Sequence, residues 1–105
     1  MDAKAIRRKV EAEIADRWNE TNAHRVNLAT ALVGPQQMKM IERLANDTIV
    51  DVWLVLKEVA RGDGYLIFYR EDLDTFGLAS AGFPHDSYPV ICGYYGDFWT
   101  TFQGM

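Results

Sequence analysis

The chain has 105 residues, 49% of them hydrophobic and 25% charged, with a formal net charge of −4. That size supports one compact domain over residues 1–105, because a second core would find too little apolar surface to bury. Composition argues against disorder, which needs low hydrophobicity and high net charge, and a single cysteine, Cys92, excludes an intrachain disulfide. The opening residues include Lys4, Arg7, Arg8 and Lys9 with no apolar stretch after them, and no apolar run approaches the roughly 20 residues of a bilayer span. A reducing cytoplasm and no membrane association are the expectations.

Charge and ring content divide the chain. Residues 1–43 hold eight Lys and Arg against six Asp and Glu, whereas residues 44–105 hold three against nine. Twelve of the thirteen aromatic residues and seven of the eight glycines also lie in the second part. An acidic surface repels phosphate backbones, so nucleic acid is not an expected partner. A basic protein partner suits it better, although solubility alone also accounts for negative charge.

Ala3, Ile6, Val10, Ile14 and Trp18 recur at spacings of three and four between charged positions, which predicts an amphipathic helix capped by Asp2. Glu13 and Arg17 stand at i,i+4 in the favourable order. Thr21 and Asn22 interrupt the pattern. Val26, Ala29, Leu32 and Val33 then suggest another helical turn or two, and Gly34–Pro35 reads as the start of a short helix over residues 36–45, ended by Asn46–Asp47. Residues 49–59 fit either a helix or a buried strand, and the run of β-branched and aromatic side chains favours the strand. Asp63–Gly64 marks a turn before a strand at 65–69. A polar turn at 70–74, a strand at 75–79, a loop at 82–87 and a strand at 89–94 follow. Gly96–Asp97 opens a last helical turn with Phe98, Trp99 and Phe102, and Gly104 sits where a closing glycine belongs. The fold class expected is α+β: two or three N-terminal helices packed on an antiparallel three- to four-stranded sheet, with a short C-terminal helix.

Motifs that carry chemistry are weak throughout. Cys92 with His85 and Asp86 has the residue types of a thiol nucleophile and its base, but Cys92 lies in an apolar run with no activating cation beside it. His24 and His85 have no zinc-ligand spacing. Asp72 and Asp74 begin like a calcium loop that lacks its turn glycine and closing glutamate. Gly93 to Gly96 forms a G-x-x-G without the basic residues that clamp a nucleic-acid backbone. No catalytic residue, metal or cofactor is assigned.

Aromatic side chains among carboxylates are the strongest remaining signal. Tyr94 and Tyr95 are adjacent, so on a strand one of them faces away from the core, and Tyr and Trp serve as interface anchors. The candidate binding residues are Tyr65, Tyr69, Asp72, Asp74, His85, Asp86, Tyr94, Tyr95 and Trp99. They suit a non-catalytic interaction module, inhibitor-like or immunity-like, that docks a basic protein by electrostatic steering. The competing expectation is a small-molecule binder or modest enzyme with an aromatic-lined pocket between helices and sheet. For self-association, a symmetric homodimer through helices or an edge strand is preferred to a head-to-tail contact.

Overall fold

In the computed structural model, which describes residues 1–58, 64–80 and 88–105, the fold is α+β. The elements run α1 (Ala3–Ile14), α2 (Leu28–Ala31), β1 (Leu32–Glu42), β2 (Thr48–Lys57), β3 (Tyr65–Arg70), β4 (Thr75–Ser80), β5 (Val90–Gly96) and α3 (Phe98–Gln103). The strands pair in chain order as an antiparallel meander that closes into a five-stranded barrel. Closure brings β5 beside β1 in parallel at Ile41 and Val90, where Ile41 N donates to Pro89 O at 2.8 Å. No helix among the described residues is long and apolar enough to cross a membrane.

Two cores share the middle strands. Met40, Val50, Val52, Leu54, Leu66, Phe68 and Ala79 form one cluster inside the barrel. Val55, Leu56, Ile67, Tyr69, Phe76 and Leu78 form the second with Ile6, Val10 and Ile14 of α1, Leu28 and Ala31 of α2, and Phe98 and Phe102 of α3. Successive strand residues point to opposite faces, so a strand covered on both faces must be apolar without interruption. That requirement accounts for the unbroken runs in β2 and β3. The row Leu54, Phe68, Gly77 and Tyr94 crosses the barrel through paired positions. Phe68 fills its centre and meets the Tyr94 ring edge-on, with centroids 5.8 Å apart.

Expectation and structure part at the front of the sheet. Of the helix expected over residues 36–45, residues 36–42 belong to strand β1 and only Arg43–Ala45 are helical, as one 3-10 turn, while the expected second helix shrinks to the four residues of α2. Five strands, not three or four, result. Met38 and Met40 alternate with Gln37 and Lys39, a period of two, and they pair with Val52 and Val50 of the neighbouring strand. Gly34 and Pro35, read as a helix start, lie where the β1–β2 register shifts between Leu32 and Gln36. Proline has no N–H to give the ladder, and such irregularities are where strands admit it. Asn46 and Asp47 both adopt left-handed φ, 59° and 58°, in the connection to β2, a conformation these side chains tolerate. The strand preferred for residues 49–59 is present as β2 as far as Lys57, and Val59 lies outside the described residues. The loop at 82–87 and the Asp63 half of the expected turn lie outside the described residues.

Two side chains cap the terminal helices, and three more, Glu13, Arg17 and Asn22, tie the front of the chain to α3. Asp2 caps α1 through Ala5 N at 2.9 Å, and Asp97 caps α3 through Thr100 N at 2.6 Å. Glu13 does not form the expected pair with Arg17; its Oε1 accepts from Phe98 N at 2.7 Å and Trp99 N at 3.3 Å. Arg17 donates to the Glu13 carbonyl oxygen and lies over the Trp99 ring, 3.8 Å from its centroid. Buried Asn22 donates to Phe102 O at 2.9 Å and accepts from His24 N and Val26 N at 3.0 and 3.2 Å. One amide thereby orders the connection after α1 and fastens it to α3.

Two substitutions test this packing by urea denaturation. A Cβ on Gly77 would sit 2.5 Å from both Phe68 Cζ and Gly93 O, so Gly77→Ala should lose about 1–3 kcal/mol of stability through overpacking. Ala15, which ends α1, holds φ 52°, and Ala15→Gly should gain about 1 kcal/mol by removing that strain. A neutral Gly77→Ala, or a destabilising Ala15→Gly, would contradict the geometry.

Candidate functional site, an acidic groove beside Trp53

The exposed outer face of the β1–β2 hairpin and the turn from β3 to β4 border a groove of about 480 Å³. Gln37, Val50, Asp51, Val52, Trp53, Arg70, Glu71 and Asp72 line it. Its position follows from register, since Gln37 pairs with Trp53 and Trp53 with Tyr69. Half-buried Trp53 donates from Nε1 to Glu71 Oε2 at 3.5 Å. Glu71 Oε1 meets the amino group of Met1, and Lys39 Nζ reaches Asp51 Oδ1 at 2.7 Å. That last pair is well exposed at both ends, so it adds little stability and leaves Asp51 accessible.

Arg70 organises the rim. Its Nε and Nη2 donate to the two oxygens of Asp72 at 2.8 and 3.2 Å, a bidentate arrangement suited to guanidinium and carboxylate. Its Nη1 donates to Glu42 Oε2 at 3.2 Å and to the Tyr94 hydroxyl at 2.8 Å. Tyr94 in turn donates to Glu42 Oε1 at 2.7 Å. Strands β1, β3 and β5 therefore meet at one cation. Arg70 holds the Asp72 carboxyl below the usual carboxylate range. Partial burial, then the bond to Glu42, raises the Tyr94 phenol.

The sequence-derived candidates separate into distinct roles. Asp72 and Tyr94 belong to the Arg70 cluster, and Tyr94 is 37% exposed. Tyr69 is buried, its hydroxyl donating to Asp74 Oδ1 at 2.6 Å, while Lys9 Nζ lies 3.6 Å from the same carboxylate. Tyr95 is exposed on β5, away from the groove lining. Trp99 is half-buried against Arg17 and Phe102. Tyr65 is half-buried beside His24, with ring centroids 5.4 Å apart. His85 and Asp86 lie outside the described residues. Cys92 is an exposed thiol whose titration is pushed up by partial burial of the sulfur, the opposite of activation. Among the described residues no cluster of three or more His, Cys, Asp or Glu side chains stands ready to hold a metal ion.

Sequence reasoning missed Glu42, Gln37, Asp51, Trp53, Arg70 and Glu71 as site residues. Glu42 and Gln37 were hidden by the helical reading of β1. Asp51 and Trp53 carried a usable signal, because alternation on a β2 strand sends both to the face opposite Val50 and Val52. Comparison with protein-family models, curated proteins and solved structures returns no match, so functional inference rests on the geometry.

Burial, followed by the bond to Asp74, pushes the Tyr69 phenol from 10.0 up to about 12. The folded chain holds this proton more tightly than the unfolded chain does. The stabilisation is complete below 10.0 and disappears as pH climbs to about 12. Urea midpoints followed across this range should fall more steeply for the parent chain than for Tyr69→Phe. Equal slopes would contradict the assigned environment.

Proposed function

We propose that this chain is a non-catalytic protein-interaction module, inhibitor-like or immunity-like, that docks a basic protein surface on the groove beside Trp53. One observation carries the reading. Asp51, Glu71 and Asp72 line the groove with Trp53 and Arg70, and Arg70 links Glu42 and Tyr94 to it. Among the described residues, the cations that meet these four carboxylates are three: Lys39, Arg70 and the amino group of Met1. Surplus carboxylates at a rim steer a cationic partner and set its orientation. Aromatic side chains and arginine are the types that anchor interface centres. Arg70 fixes Tyr94 and Asp72 before any partner arrives, which lowers the ordering cost of association.

The small-molecule reading, with an aromatic pocket between helices and sheet, draws less support. Phe76, Phe98 and Phe102 occupy that layer fully buried, packed on one another at centroid distances of 5.8 and 6.2 Å. Head-to-tail assembly is also weakened, because Lys9 meets Asp74 within the same chain.

Titration of lysine- and arginine-rich peptides, followed by Trp53 indole and Asp51 amide NMR signals, tests the proposal. Saturable shifts at these positions should weaken as salt is raised. The double variant Asp51→Asn, Glu71→Gln should weaken binding by roughly tenfold, the effect expected for paired rim charges. Binding indifferent to salt and to both substitutions, or no shift at the groove, would overturn it.

A further inference from the structure

A second cleft, of about 320 Å³, lies on the connection that Asn22 orders, lined by His24, Arg25, Val26, Asn27, Thr30, Ala31 and Glu58. It shares no lining residue with the groove beside Trp53. His24 is held at three points: its backbone N–H by Asn22, its ring face by Tyr65, and its Nδ1 by Glu58 at 3.4 Å. Glu58 is held as well, accepting from Tyr65 N at 3.1 Å. A carboxylate can only accept, so Nδ1 carries the hydrogen. In the neutral imidazole Nε2 is then left with its lone pair. Next to it Arg25 sits at φ 56°, a costly conformation for a residue other than glycine. Its guanidinium has no ion pair or hydrogen bond among the described residues. Strain held at a cleft, on an arginine whose guanidinium has no partner among the described residues, points to a side chain available to a ligand.

We propose that this cleft binds a small zwitterion of the α-amino-acid class. Arg25 takes the carboxylate through its planar pair of donors. The ammonium group donates to the His24 Nε2 lone pair and toward the Glu58 carboxylate. The volume falls at the small end of ligand cavities, which begin near roughly 300 Å³. Arg25 and Glu58 put opposite charges on one lining, which matches the two charged groups of a zwitterion.

Free L-amino acids, with acetate and methylammonium as half-ligands, can be titrated against ¹⁵N-labelled chain. At least one amino acid should give saturable shifts of the His24 ring nitrogens and the Thr30 amide, and should bind more tightly than either half-ligand. Glu58→Gln should weaken it about tenfold, the loss of one charge-assisted contact. Arg25→Gly is the decisive variant, since glycine relieves the left-handed strain while removing the guanidinium. It should raise the melting temperature and abolish amino-acid binding. No saturable shift with any amino acid, or unimpaired binding by Arg25→Gly, would overturn the assignment.

Discussion

Alternate residues of β3 enter different cores, Leu66 and Phe68 the barrel interior and Ile67 and Tyr69 the layer beneath the helices. Each such side chain removed from water contributes about 1.5–3 kcal/mol, an upper figure because unfolded chains already bury some surface. Neither layer could shift alone, since moving β3 by one residue would exchange its two faces. The constraint extends outward from there. Phe68 needs the missing Cβ of Gly77, Tyr69 needs Asp74 for its hydroxyl, and Arg70 reaches both Glu42 and Tyr94 because barrel closure brings β1 and β5 side by side. The groove beside Trp53 therefore inherits its shape from strands that cannot slide.

Much of this was legible in the residues. The apolar stripe of α1, its Asp2 cap, the strand at 65–69 and the Asp97-capped last helix all follow from local periodicity and capping chemistry. β1 was not legible, for a physical reason. Met38, Ile41 and Leu44 fit a helical stripe while Met38 and Met40 fit a strand, and Gly34–Pro35 begins helices more often than it interrupts ladders. Partner strand β2 decides between them, and pairing across a hairpin is invisible in a short window. The candidate site divided along the same line. Tyr94 and Asp72 were recognisable as a tyrosine and a carboxylate with surface roles, but their joining cation, Arg70, lies in a different strand from Glu42 and Tyr94.

Charge separation along the sequence does not survive folding. Lys9, Lys39 and Arg43 of the basic front meet Asp74, Asp51 and Asp47 of the acidic back, and His24 meets Glu58. What persists is a local surplus of carboxylates around Trp53, next to an arginine already committed to ordering its neighbours. A second, unrelated polarity stands at the Asn22-ordered connection, where neighbours fix His24 and Glu58 and the Arg25 guanidinium has no partner among the described residues. The two sites differ in kind: one is broad and exposed, the other small and bipolar.

Native-state hydrogen exchange tests the two-sided burial of β3 most directly. The account predicts that the slowest amides lie in β3 and in the parts of β2 and β4 paired with it, exchanging only through global unfolding. Protection should decline toward the Gly34–Pro35 end of β1 and toward the end of β5 near Gly96. Amides of β3 that exchange as readily as those β1 and β5 ends, or a slowest group confined to α1, would contradict it.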